Sequence, residues 1–133
     1  MPAGHLDHLD LGRQGEDAAA RLLEGKGLRI LERNLRLGRL ELDLVCEDGD
    51  TLVFVEVKTR AEGSLATPAD GLTAQKRSRL VRAAQAYLAQ RDLWQRPCRL
   101  DLVAVLFHAG QLHSIEHTPN AFQAEDSGSW QPW

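Results

Sequence analysis

Four side chains able to handle protons and metal ions lie within the stretch Leu40 to Arg60, LELDLVCEDGDTLVFVEVKTR: Glu41, Asp43, Glu56 and Lys58. Leu40, Leu42 and Leu44 alternate with Glu41, Asp43 and Val45 as in a strand, and Leu52 to Lys58 reads as a second strand beyond Asp48-Gly49. A two-residue type I′ turn at Asp48-Gly49 pairs Glu47 with Asp50, Asp43 with Phe54 and Glu41 with Glu56. Opposed residues share a face, so Glu41, Asp43, Glu56 and Lys58 are expected on one side of the sheet. A one-residue slip would send Asp43 and Glu56 to opposite faces, so the inference hangs on that turn. Carboxylates beside apolar positions such as Leu52 and Phe54 are costly unless a cation compensates them. Clustered carboxylate oxygens suit a hard divalent cation, Mg²⁺ or Mn²⁺, which keeps several waters and needs few protein ligands.

The elements that must hold these residues can be read in chain order. Residues 1–11 are expected to be a flexible tail in which His5 and His8 complete no ligand set. Arg13 to about Lys26 is predicted helical and ended by Gly27. On that helix Glu16, Ala19, Ala20 and Leu23 share a face, so a carboxylate lines up with the side that packs on the sheet. As a first-turn acid it also complements the helix dipole. Leu28 to Leu37 is the expected first strand, alternating imperfectly through Leu28, Ile30, Leu35 and Leu37. Arg33, Arg36 and Arg39 near its exposed end are either solvated cations or phosphate holders.

After Arg60 the polar run AEGSLATPADGL is long enough for a flap over a groove, or serves as a spacer. Thr73 is the predicted N-cap of a second helix to about Gln90, packed through Leu80, Ala83, Ala84, Tyr87 and Leu88. Its first half carries Lys76, Arg77, Arg79 and Arg82 with no acid among them. That run is either a solvated face or, with Lys76 near the helix N-terminus, a phosphate-binding one. Trp94 reads as an apolar plug. Arg99 to Phe107 is an apolar interior strand interrupted by Asp101, a salt-bridge or strand-end residue or a remote support for the acids; Gly110 then turns into a shorter strand, Leu112 to Ile115. His108, His113 and His117 lack zinc-like spacing and read as surface or structural residues. Residues 123–133 form a polar tail, expected to be disordered, with Trp130 and Trp133 as candidate anchors. The order αβββαββ gives an α/β (α+β) domain over residues 12–122, with a mixed five-stranded sheet flanked by helices.

At 133 residues the chain fits one domain, and 43% hydrophobic with 26% charged residues is the balance of a soluble globular protein. No apolar run reaches membrane-spanning length, and the N-terminus lacks the pattern of a secretory signal, so a cytoplasmic location is expected. Cys46 and Cys98 form neither a zinc pattern nor a disulfide framework and are expected to be free, buried thiols. A formal net charge of −3 is not that of a generally basic nucleic-acid binder. Carboxylates gathered at a metal site inflate the acidic count, however, and binding depends on how positive charge is spread over one face.

Asp43 followed by Glu56-Val57-Lys58 resembles the PD-(D/E)XK nuclease motif. The wider context is more specific. Gly12 to Ala19, Ile30 to Asn34, Glu41 to Leu44, Thr51 to Arg60, Ile115 to His117 and Asn120 to Phe122 together resemble the YraN family of uncharacterised bacterial proteins, which is similar to Holliday-junction-resolvase-like nucleases. The resemblance spans about Gly12 to Phe122, with Leu40 where the family usually has glycine and Ala74 where it often has proline. It implies a restriction-endonuclease-like core and a Mg²⁺- or Mn²⁺-dependent endonuclease acting on DNA, branched or otherwise structured DNA included. In that frame Asp43, Glu56, the Val57 carbonyl and, through water, Glu16 are the metal ligands. Lys58 joins Asp43 and Glu56 as catalytic, and Glu41 either tunes the metal from outside or pairs with an arginine. Lys76, which matches a family position, heads the candidate DNA-binding cations, with Arg77, Arg79, Arg60, Arg36 and Arg39. A resolvase-like pair of symmetric cuts favours a homodimer. The rival expectations are a non-catalytic nucleic-acid-binding module and a protein-interaction domain on the same fold.

Overall fold

A computed structural model describes residues 8–62 and 73–121. His5, most of the candidate flap (63–72) and the tail with Trp130 and Trp133 lie outside the described residues. The elements are α1 (His8–Gly25), β1 (Arg29–Leu37), β2 (Leu40–Asp48), β3 (Thr51–Ala61), α2 (Ala74–Arg91), β4 (Cys98–His108) and β5 (Gln111–Thr118), the expected order αβββαββ. They build one mixed five-stranded sheet in the spatial order β1-β2-β3-β4-β5. Neighbours are antiparallel except β3 and β4, which are parallel. A parallel pair cannot be closed by a tight turn, and α2 lies in the connection that joins β3 to β4.

Each helix covers one face of the sheet. Leu80, Val81, Ala84, Tyr87 and Leu88 of α2 pack on Val45, Leu52, Phe54 and Leu100. Ala19 and Leu23 of α1 pack on Leu44, Cys46, Val53, Val55, Val103 and Val105. Strands β2 to β4 are therefore buried on both sides, which is why they read as long apolar runs. Each fully buried leucine, valine or phenylalanine contributes about 1.5–3 kcal/mol before the entropy of ordering is subtracted. Thr73 caps α2 by accepting the Lys76 N–H at 3.1 Å, as its position predicted. Cys46 and Cys98 are free and buried, and burial pushes their thiols up to about 12 and about 11. No helix among the described residues is long and apolar enough to cross a membrane.

Five local expectations are corrected. Helix α1 begins at His8, before Arg13, because Leu11 already packs against the α1-side core. Strand β5 continues past Ile115 to Thr118, since Glu116 and His117 stay paired with Ala104 and Val103. Trp94 is 48% exposed and so is not a buried plug. Leu40 and Leu42 go to the α2 side but Leu44 to the α1 side, so the three leucines do not share a face. The β2–β3 turn is Gly49-Asp50, with Asp48 paired to Thr51 and Val45 to Phe54. Of its two central residues only Gly49 has positive φ (60°). A glycine at the first central position is the type II′ preference, whereas type I′ needs positive φ at both. The slip is one residue on each strand, so parity survives and the Asp43 and Glu56 positions still fall on one face.

Candidate metal and nucleic-acid site

The site forms where β2 leaves β3. Their ladder runs from Asp48↔Thr51 to Leu44↔Val55 and stops one residue before Asp43. Beyond it the Val57 N–H would lose its strand partner, and buried donors are rarely left so. The Asp43 carboxylate takes its place, with Oδ2 accepting the Val57 N–H at 2.8 Å. In a strand the N–H and C=O of one residue point to the same side, which directs the Val57 carbonyl toward the same gap.

Glu56 stands on the α2 face in the series Leu52, Phe54, Glu56, Lys58. Its carboxyl lies beside that of Asp43, and each bears on the other's titration. Two carboxyls in contact must hold a proton or a cation between them. Burial first, and the Asp43 charge second, push Glu56 up to about 8; Asp43 is raised to about 6, chiefly by burial and against the pull of the Val57 N–H.

The pair lies at a cleft of about 300 Å³ between the tip of the β1–β2 hairpin and the first turns of α2. Asp43, Glu56 and Glu41 supply its acids, and Arg36, Arg39, Lys76 and Arg79 its cations, with Leu40 and Leu80 completing the lining. The other predicted residues are not part of its lining. Lys58 is buried, two residues beyond Glu56 on its face of β3, and does not line the cleft. Arg60 donates to the Thr59 carbonyl, and neither Arg60 nor Arg77 contributes to the lining.

Glu16 approaches from α1. Any side chain at Gly15 would place its Cβ 2.1 Å from Thr59 Oγ1, so this first part of α1 lies directly on β3 beside Val57 and Lys58. Half-burial raises the Glu16 pKa against a hydrogen bond from Asn34 and the nearby Arg33 charge, and its own charge in turn acts on Asp43.

The donor chemistry fits a hard divalent cation. All candidate ligands are oxygens, and a cation in place of the shared proton would relieve the repulsion between Asp43 and Glu56. Among the described residues no three His, Cys, Asp or Glu side chains are grouped closely enough to hold an ion by themselves. A Mg²⁺-like ion, which keeps most of its waters, would be held by Asp43 and Glu56, with Glu16 and Glu41 acting through water.

Residues 15–105 match the model of the Uncharacterised protein family UPF0102. The chain belongs to UPF0102, the YraN family. A UPF0102 protein of Nitratidesulfovibrio vulgaris is 54% identical over 127 residues, 92% of this chain and 94% of the relative. One of Pelotomaculum thermopropionicum is 50% identical over 115 residues (84% and 94%), and one of Lawsonia intracellularis 44% over 129 residues (93% and 97%).

In this UPF0102 chain Asp101 belongs to a structural cluster on the α1 side. It is fully buried and accepts from Arg99 Nε at 3.0 Å, the Asn120 N–H at 2.9 Å and His117 Nε2 at 2.8 Å. Lys26 Nζ lies 2.9 Å from His117 Nδ1, so this histidine is structural, while His108 and His113 are at the surface. Sequence reasoning gave Asn34 no role, although it has a left-handed backbone with φ 51° and its side chain bears on the Glu16 carboxyl. Its one sequence signal was an asparagine inside a strand whose alternation was imperfect.

Proposed function

We propose that this UPF0102 protein is a Mg²⁺- or Mn²⁺-dependent endonuclease that hydrolyses phosphodiester bonds in DNA, with branched or structured DNA as the first substrates to test. The observation that carries the reading is the cleft itself: two desolvated carboxyls in contact, Asp43 and Glu56, bordered by Arg36, Arg39, Lys76 and Arg79. Acids that must be compensated, beside exposed cations able to hold an anionic backbone, fit a phosphodiester better than a neutral ligand. A bound divalent ion would lower the pKa of a water and stabilise charge developing on the phosphodiester. Asp43 and Glu56 would hold it together with the Val57 carbonyl, and Glu16 and Glu41 would orient its waters. Lys58, a compact cation beside Glu56 in the strand series, would orient the attacking water and offset charge in the transition state. Lys76, close to the N-terminus of α2, would hold a phosphate beside the scissile one, with Arg79, Arg36 and Arg39 along the strand.

A second reading is favoured by one observation, the lack of a ready three-ligand group among the described residues. It is a nucleic-acid-binding module on the same fold, which binds without metal and does not cut. Cleavage of labelled duplex, single-stranded and four-way-junction DNA with Mg²⁺, Mn²⁺ or EDTA separates the two. The nuclease reading expects metal-dependent products that Glu56→Ala and Lys58→Ala abolish while remaining folded. Salt-sensitive binding that persists in EDTA, with no product under either metal, would replace it with the binding module.

A further inference from the structure

We infer that Asn34 is a positioning residue of this site, its left-handed backbone setting where Asp43 lies and its amide holding Glu16. The inference rests on the metal reading for its consequence, and on the strand geometry for its cause. In the β1–β2 ladder Arg33 pairs with Leu44 and Leu35 with Leu42; the positions between them are Asn34 and Asp43. Arg33 reaches Asp17 of α1 at 2.5 Å, and Leu44 packs on the α1-side core. Leu35 and Leu42 pack on the α2 side. The two strands therefore exchange faces across a single step, and that step is Asn34/Asp43. Regular strand backbone alternates strictly and cannot do this. The left-handed φ of Asn34 (51°) supplies the rotation, and asparagine is among the few residues other than glycine that tolerate it.

The exchange has a chemical result. It carries Asp43 out of the ordinary ladder to the end of the β2–β3 pairing, where its carboxylate takes the Val57 N–H and meets Glu56. The side chain of the same asparagine bears on the Glu16 carboxyl on the other layer of the fold, opposing the rise that burial gives its pKa. One residue thus ties the acid on α1 to the acid on β2. Glycine in its place would supply the backbone alone, and alanine neither the backbone nor the amide.

Asn34→Gly and Asn34→Ala in the full chain separate the two roles, read by hydrogen exchange of the Val57 amide and by Mn²⁺ titration calorimetry. Asn34→Gly is expected to leave Val57 protected as in wild type but to weaken Mn²⁺ binding about tenfold, the usual size of an orienting-partner loss. That loss should vanish in a Glu16→Gln background, where there is no carboxylate left to orient. Asn34→Ala is expected to speed Val57 exchange several-fold as well. Wild-type Mn²⁺ affinity in Asn34→Gly, or an undiminished loss in the Glu16→Gln background, overturns the amide role. Wild-type Val57 exchange in a folded Asn34→Ala overturns the backbone role. If wild type itself takes up no Mn²⁺, the metal reading fails separately and the Val57 comparison still decides the backbone role. An Asn34→Ala that does not fold while Asn34→Gly does, with Val57 protected, supports that role.

Discussion

Glu56 and Asp43 carry opposite halves of one compromise. Burial raises both, but the Val57 N–H holds Asp43 back, whereas Glu56, buried beside it, keeps its proton well above the usual carboxylate range. This has a measurable sign. A carboxyl whose pKa is higher in the folded than in the unfolded chain binds its proton more tightly when folded, so the folded state binds more protons between the two values. Stability of the metal-free protein should therefore be greatest near pH 4.5, decline as pH rises, and level off beyond about 8. Denaturant unfolding at pH 5 and pH 8 should differ by roughly 1–3 kcal/mol in wild type, and the difference should shrink in Glu56→Gln. Mg²⁺ at pH 8 should recover stability in wild type only, because an ion bound to the native state alone adds to its stability. A stability that climbs from pH 5 to pH 8 in the metal-free protein would mean that the pair is not desolvated as described.

At the scale of elements, the site depends on how closely α1 and β3 approach. The Gly15–Thr59 contact has no room for a methyl group: a Cβ would stand 2.1 Å from Oγ1 and 3.0 Å from Cγ2 of Thr59. Gly15→Ala should cost about 1–3 kcal/mol by forcing the helix and the strand apart. Thr59→Ala removes both clashing atoms, so the double variant should be less destabilised than the sum of the singles, by at least ~0.5 kcal/mol. Strict additivity in thermal or denaturant unfolding would place the strain elsewhere. The elements were largely legible because each carries a local signal: Thr73 as a cap, the α2 stripe, the uninterrupted apolar run of β4. Glu16 was legible by its spacing from Ala19, Ala20 and Leu23. The features that shape the site were not. The face exchange at Asn34/Asp43 needs two strands to be seen together, and the Gly49-Asp50 turn differs from Asp48-Gly49 by one residue in a run of polar turn formers. Lys58 was expected with the acids from strand parity and from the likeness of Glu56-Val57-Lys58 to a nuclease motif; parity gives its face of the sheet but not its distance from the cleft.

For the whole molecule, a net charge of −3 is at odds with a nucleic-acid partner only if charge is evenly spread. It is not. Arg29 and Arg96 are spent on Glu47, Arg33 on Asp17, Arg91 on Glu32, and Arg99 on Asp48 and Asp101. The cleft instead gathers Arg36, Arg39, Lys76 and Arg79, of which Arg36 has an ion-pair contact at 3.9 Å, loose and exposed, to Glu41. A backbone bound there releases one counterion for each phosphate neutralised, so affinity should fall with salt in proportion to the cations engaged. Four contacts predict a log–log slope of about −3 to −4 for duplex DNA, and Lys76→Ala with Arg79→Ala should reduce its magnitude by about 2. Fluorescence anisotropy from 50 to 200 mM salt measures this without requiring cleavage, with Ca²⁺ or EDTA in place of Mg²⁺. An unchanged slope in the double variant, with the protein folded, would move the DNA path away from α2. Any backbone held beside Asp43 and Glu56 would then have to rest on Arg36 and Arg39 of the β1–β2 hairpin.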